Sequence, residues 1–212
     1  MKYAERLNRL GTETAFEVLR QVQALPKERQ DNIISFSIGE PDFNTPEHVK
    51  QAGIKAIQEN HTHYTPSAGI EDLRQAVAEF ASETKDISVT AENVVILPSA
   101  KYVVDLAILS CTNPGDQVIY PNPGYPIYES LIKVQGCEAL PAQLWESQEW
   151  NYDLDDLRNM ISEKTKMIII NSPQNPTGSV LNQQNLEALA EMALENDIWI
   201  LSDEIYSNII YD

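Results

Sequence analysis

Long apolar runs are missing from this sequence: none approaches the roughly 18 to 20 residues that a membrane-crossing helix needs. The N-terminal stretch Met1–Arg6 leads into a polar segment without a signal-peptide core, which points to the cytoplasm. Basic residues are scarce, 15 against 32 acidic ones, and a formal charge of −17 opposes any polyanionic surface, so neither nucleic acid nor a membrane is expected as partner. Cysteine is limited to Cys111 and Cys137, too few for a disulfide framework; Cys111 ends the apolar segment Val103 to Cys111 and reads as a small core residue. His48, His61 and His63 lack a metal-ligand pattern, and for the i, i+2 pair His61 and His63 solvated loop histidines are the simpler reading, so no metal is expected. Repeats, low-complexity segments and long like-charge blocks are absent, which excludes a solenoid and a disordered tail.

What is present is alternation. At 212 residues the chain holds one large domain, or one domain and part of another. Helical stripes run through Val49, Ala52, Gly53, Ala56 and Ile57, through Ile70, Leu73, Val77 and Phe80, and through Leu186, Leu189, Ala190, Ala193 and Leu194. They predict surface helices covering a sheet. Between them lie short apolar runs without polar alternation: Val94 to Leu97, Val118 to Tyr120, Met167 to Ile170, and Ile198 to Leu201. Such runs predict strands buried on both faces of a mostly parallel sheet, an α/β architecture. The segment Tyr102 to Leu109 is apolar nearly all round and predicts a buried central helix.

Polar residues sit where those runs end. Asn171-Ser172-Pro173-Gln174-Asn175-Pro176-Thr177-Gly178 follows one run and Ser202-Asp203-Glu204-Ile205-Tyr206 another, placing Asn175, Asp203 and Tyr206 at strand ends, the usual ligand crevice of open α/β sheets. Ser99, Ala100 and Lys101 fall at the N-terminus of the predicted central helix, where free amides and the helix dipole favour an anion such as phosphate. A boundary is expected near Pro41 to Pro46, with residues 1–45, including the stripe Phe16, Leu19, Val22 and Gln23, as an arm and part of a second domain, and 46–212 as the main domain.

Taken singly, these motifs have bland readings: Asn-Pro-Thr-Gly is a turn, and Asp203-Glu204 a solvated loop or helix cap. Their order carries more. Ser37-Ile38-Gly39-Glu40-Pro41-Asp42-Phe43, Thr62-His63-Tyr64-Thr65-Pro66, Pro98-Ser99-Ala100-Lys101, Asn113-Pro114-Gly115-Asp116, Pro121-Asn122-Pro123-Gly124-Tyr125-Pro126, Asn175-Pro176-Thr177-Gly178 and Asp203-Glu204-Ile205-Tyr206 follow one another along the chain. In that order and spacing the sequence resembles the class I aminotransferases, pyridoxal-phosphate enzymes of fold type I, and in particular their aspartate, aromatic and prephenate branch.

The resemblance implies a three-layer α/β/α large domain, a pyridoxal 5'-phosphate cofactor, amino acid and 2-oxo acid substrates, and a homodimer. It implies that Asp203 pairs with the pyridine nitrogen, that Asn175 and Tyr206 donate to the ring phenolate oxygen, and that Tyr125 stacks on the ring. Ser99, Ala100 and Lys101 would hold the phosphate, and Tyr64 would reach the phosphate of the neighbouring subunit. Gly39 would lie beside the substrate carboxylate, where the missing side chain lets the backbone come close. A cis bond is implied at Asn175-Pro176. Two positions depart from the family pattern: Ser99 where Gly is common, and Tyr102 where Gln or Glu is.

The same resemblance implies a Schiff-base lysine in a Ser-Lys segment beyond Asp212, so no catalytic residue is assigned within the chain; Lys101, Lys133, Lys164 and Lys166 do not match that segment. The expectation is therefore an N-terminal fragment lacking the last strands and most of the small domain. Two alternatives to amino transfer stand beside it: a β-lyase or cyclising lyase of the same fold, and a non-catalytic fragment or interaction module.

Overall fold

The computed structural model describes residues 2–11 and 14–211, the side chains of 14–16 excepted. By its internal contacts the chain divides into two compact units, Met1–Thr14 with Ala100–Asp212, and Ala15–Ser99.

The second of these units is helical. Its elements are α1 (Thr14–Gln23), which enters it from the boundary, α2 (Lys27–Gln30), α3 (Glu47–Gln58) and α4 (Glu71–Lys85). α1 carries the stripe expected around Leu19 and Val22, both half-buried, while the side chain of Phe16 lies outside the described residues. Pro46 precedes α3, as the first-turn preference for proline suggests. The predicted stripes on α3 and α4 do form helices, but among the described residues this unit contains no strand for them to cover. α3 buries none of its residues and α4 only Ala78. Periodicity marks the face that can be buried; it does not supply the surface that buries it.

Val94 to Leu97, expected as a strand, runs extended without a ladder partner. Its backbone is held instead by the Arg74 guanidinium, which donates to the carbonyls of Ala91 and Val94, and by the Ile96 amide donating to the Ala68 carbonyl at 2.9 Å. Val94 is buried but Val95 is exposed and Ile96 and Leu97 are half-buried, so the run is not buried on both faces.

The other unit is a three-layer α/β/α sandwich. In chain order it comprises α5 (Ala100–Cys111), β1 (Gln117–Asn122), α6 (Ile127–Val134), β2 (Glu138–Gln143), α7 (Leu154–Met160), β3 (Thr165–Asn171), α8 (Gln183–Asn196) and β4 (Trp199–Asp203). All strand pairs are parallel, in the order β2-β1-β3-β4. Alternate residues of β1 and β3 feed opposite layers, as a pleated strand requires. Val118, Tyr120, Met167 and Ile169 pack with Val104 and Ile108 of α5 and Tyr128 and Ile132 of α6. Ile119, Ile168 and Ile170 pack with Leu157 of α7 and Leu189 and Met192 of α8 on the other face. Double-sided burial explains why these two strands read as continuous apolar runs.

The remaining expectations shift at the margins of the sheet. β4 lies at an edge of the sheet, and Trp199 is 62% exposed, so the run Ile198 to Leu201 is not buried on both faces. α5 is amphipathic in practice: Val104 and Ile108 are buried while Tyr102, Val103, Leu106 and Leu109 are exposed. On α8 the buried face is Asn185, Ala188, Leu189, Met192 and Ala193, whereas Leu186, Ala190 and Leu194 face outward. β2 had no apolar signature because its sequence, Glu-Ala-Leu-Pro-Ala-Gln, is that of an edge strand, where Pro141 is tolerated. The N-terminal segment fastens onto α6: the Arg9 guanidinium donates to the carbonyls of Lys133 (2.8 Å) and Val134 (3.1 Å), satisfying the helix C-terminus.

Candidate functional site

The strand order dictates where a ligand crevice falls. From β1 the chain moves outward to β2, and from β3 it moves the other way to β4, so the loops after β1 and β3 diverge above the sheet. At such a switch point the carboxyl ends of neighbouring strands open a cleft. One lip carries Pro123 to Pro126 with Tyr125, the other Ser172 to Gly178 with Asn175. Gln174, only 6% exposed, joins them: its amide Nε2 donates to the Pro123 carbonyl at 2.5 Å, and its Oε1 accepts from the Thr177 amide at 3.1 Å. Three peptide bonds in these lips are cis, Asn122-Pro123, Ser172-Pro173 and Asn175-Pro176, of which only the last was expected.

Asp203 ends β4 and stands opposite Asn171, which ends β3. Its carboxylate is half-buried and held at both oxygens. Oδ2 accepts from the Tyr128 hydroxyl at 2.6 Å and Oδ1 from the Ile205 amide at 3.2 Å. Tyr128 is fully buried in α6, and burial, followed by the adjacent Asp203, pushes its phenol far above the ordinary tyrosine range. It therefore stays a donor. The rings of Tyr128 and Tyr125 meet edge to face, with centroids 5.7 Å apart and planes at 87°, an arrangement that suits aromatic quadrupoles.

Asn171 ties the two strand ends together. Its Nδ2 donates to the Asp203 carbonyl at 3.0 Å and its Oδ1 accepts from the Asn175 amide at 2.8 Å. The structure thus brings Asn175 and Asp203 to neighbouring strand tips through one shared side chain, with Tyr125 linked to Asp203 through Tyr128. Tyr206 lies in the turn after β4, half-buried. The side-chain amide of Asn175 and the hydroxyl of Tyr206 make no hydrogen bond among the described residues, which leaves both as donors toward a ligand.

Ala100 and Lys101 form the exposed first turn of α5, which packs on β3 and β4. Ser99, Tyr64 and Gly39 belong to the other unit, and all three are exposed there. A Cβ on Gly39 would meet nothing within 4 Å.

Tyr128, Asn171 and Gln174 were not singled out from sequence. A signal existed for the first: a tyrosine in an apolar helical stretch must find a partner for its hydroxyl, and Tyr128 lies one turn beyond Tyr125. Asn171 and Gln174 were visible only as members of a polar loop.

One carboxylate fixed by two donors, one amide, one phenol and one aromatic face suit a flat heteroaromatic ring with a protonatable nitrogen and an anionic oxygen. Among the described residues no cluster of His, Cys, Asp and Glu could hold a metal ion.

Residues 31–212 match the family described as "Aminotransferase class I and II". The chain is 35% identical to an aspartate aminotransferase of Bacillus subtilis over 211 residues, covering 100% of this chain and 53% of the relative. It is 41% identical to an aspartate aminotransferase of Pyrococcus horikoshii over 186 residues, covering 87% and 47%. Among solved structures, the aspartate aminotransferase from Thermus thermophilus with maleate superposes with a TM-score of 0.94 at 31% identity, covering 100% of this chain and 55% of that one. An alanine aminotransferase from Pyrococcus furiosus gives 0.92 at 30% identity, covering 100% and 54%. The chain spans about half the length of the curated relatives it matches.

Proposed function

The chain belongs to the class I and II aminotransferase family, and from that premise we propose that the complete protein transfers an amino group from an amino acid to a 2-oxo acid, with pyridoxal 5'-phosphate as cofactor. The relatives' names put aspartate first among donors to test. When bound, the cofactor supplies a ring that accepts the electron pair released as an amino acid loses its α-proton.

Each assigned residue has a task that its chemistry allows. Asp203, its carboxylate oriented by Tyr128 and the Ile205 amide, keeps a proton on the ring nitrogen. Asn175 and Tyr206 donate to the ring oxygen and hold its negative charge. Tyr125 covers the ring face. Ser99, Ala100 and Lys101 hold the phosphate with amides, a hydroxyl and a positive charge. Tyr64 contributes to the phosphate of a neighbouring copy, and Gly39 admits the substrate carboxylate. No residue of these 212 is assigned the proton transfer itself. The same reading includes a homodimer, a cytoplasmic location, an arm with part of a small domain in 1–45, and the cofactor-binding domain in 46–212. Among the described residues no helix is long and apolar enough to cross a membrane.

The observation that carries the proposal is the Asp203 carboxylate gripped at the tip of β4 and tied through Asn171 to the Asn175 loop. Its test is amino transfer by the complete protein from aspartate to a 2-oxo acid, compared with Asp203→Ala. A loss on the order of 100-fold, the scale of removing one electrostatic contact to a reacting group, is expected. Release of pyruvate and ammonia, without transfer, from an amino acid bearing a β leaving group such as β-chloroalanine would favour the lyase reading, and equal activity of the two proteins toward aspartate would sink the assignment of Asp203.

A further inference from the structure

We propose that Asn171 is a positioning residue that sets two cofactor-contacting groups at once, the Asn175 loop and the Asp203 strand end; this rests on the pyridoxal phosphate reading above. Three observations lead to it. Asn171 is 3% exposed, and both ends of its amide are occupied by hydrogen bonds. Those bonds run to the backbones of two residues 4 and 32 positions along the chain, the Asn175 amide in the loop after β3 and the Asp203 carbonyl at the end of β4. Finally, the paired register of β3 and β4 ends at the Asn171 and Asp203 pair.

A parallel ladder holds two strands only as far as its backbone bonds reach. Beyond the last pair the loops separate, and the relative placement of their side chains depends on whatever crosses the gap. Here the Ser172 amide donates to the Asp203 carbonyl at 3.3 Å, and the shorter 3.0 Å bond to the same oxygen comes from the Asn171 side chain. The other end of that side chain accepts from Asn175. An amide offers a donor and an acceptor a fixed distance apart, which a carboxylate, a hydroxyl or an apolar side chain of this size does not. Asn171 therefore converts the spacing of two strand tips into the spacing between the group that meets the ring nitrogen and the group that meets the ring oxygen. It touches neither ring atom itself.

A purely structural role predicts a lower melting temperature and nothing more, so the test reads the cofactor. In the complete protein, pyridoxal phosphate affinity and the pH midpoint of the bound cofactor's visible absorption are measured for the natural sequence, Asn171→Leu, Asn171→Asp and Asp203→Asn. Asn171→Leu removes both bonds, and a dissociation constant raised by roughly tenfold or more, as for other supporting contacts, with a displaced midpoint, is expected. Asn171→Asp keeps the acceptor toward Asn175 and the side-chain volume; it is expected to weaken binding less, and to approach the natural sequence at acidic pH, where the protonated acid can again donate to the Asp203 carbonyl. Should Asn171→Leu fail to fold, the Asp variant decides. If the Asn171 variants match the natural protein in affinity and midpoint while Asp203→Asn does not, the proposal is overturned and the cofactor reading stands. If Asp203→Asn matches as well, the cofactor reading falls and takes the proposal with it.

Discussion

The hydroxyl of Tyr128 donates to Oδ2 of Asp203 across 2.6 Å, joining a helix on one face of the sheet to the tip of an edge strand. The two lie 75 positions apart in the sequence. The bond places a fully buried donor beside a half-buried acceptor, so the carboxylate has one orientation in which both its oxygens are satisfied by the protein.

Replacing that donor leaves the ring packing intact. Tyr128→Phe is expected to destabilise the protein by about 1–2 kcal/mol, the range for a hydrogen bond to a charged group set against partial access of water to Asp203. Urea denaturation monitored by circular dichroism measures it; an unchanged midpoint would mean that the hydroxyl contributes nothing to holding the carboxylate.

Alkaline pH acts on several tyrosines together. Burial, with help from Glu129, pushes the Tyr120 phenol up to about 12, burial and then Asp203 raise Tyr128, and burial raises Tyr152. In the unfolded chain each ionises near 10. Their contribution to stability is therefore complete below about pH 10 and is lost as pH rises from there toward the folded values, because only the unfolded state then sheds the protons. Of the nine tyrosines in the sequence, these three are expected to resist ionisation until the fold gives way, as a delayed, cooperative rise in phenolate absorbance.

Core truncation gives the largest effects. Ile168 is fully buried at the centre of the sheet and Leu189 is 1% exposed on α8 beneath it. Ile168→Ala and Leu189→Ala are each expected to cost about 2–5 kcal/mol, the span set by how far the cavity collapses. Denaturant midpoints compared with Leu194→Ala, at an 85% exposed position, provide the control.

Gly124 is constrained by its neighbour. A Cβ at this position would overlap the Pro121 carbonyl oxygen, a backbone atom that cannot rotate aside. Gly124→Ala is expected to cost about 1–3 kcal/mol through overpacking and to displace the adjacent Tyr125. Thermal melting checks the first and pyridoxal phosphate affinity the second, with Gly115→Ala as a contrast, since a Cβ there meets no atom within 4 Å although its φ of +96° is itself unfavourable.

The centre of the sheet was legible because burial on both faces leaves a mark that no loop or surface helix imitates: Val118 to Tyr120 and Met167 to Ile170 are apolar at every position. The edges were not. β2 contains Glu138, Pro141 and Gln143, and Val94 to Leu97 is apolar but finds no ladder partner. Burial and pairing are separate requirements, and composition reports only the first. In the candidate site the strand-tip polar residues stood out by position, as did the cis bond at Asn175-Pro176 through the family resemblance. Tyr128 and Asn171 escaped notice because their roles are set by contacts between elements distant in sequence, or by the register of one strand against the next, which local patterns do not encode.

Because winding reverses between β1 and β3, the two walls of the cleft come from stretches of chain 51 residues apart at the Gln174 to Pro123 contact. Neither wall is a continuation of the other. Substitutions around Pro123 to Pro126 can accordingly reshape the side of the opening that carries Tyr125 while the Asn171 to Gly178 wall keeps its own internal bonds, so a change in one side need not unmake the other.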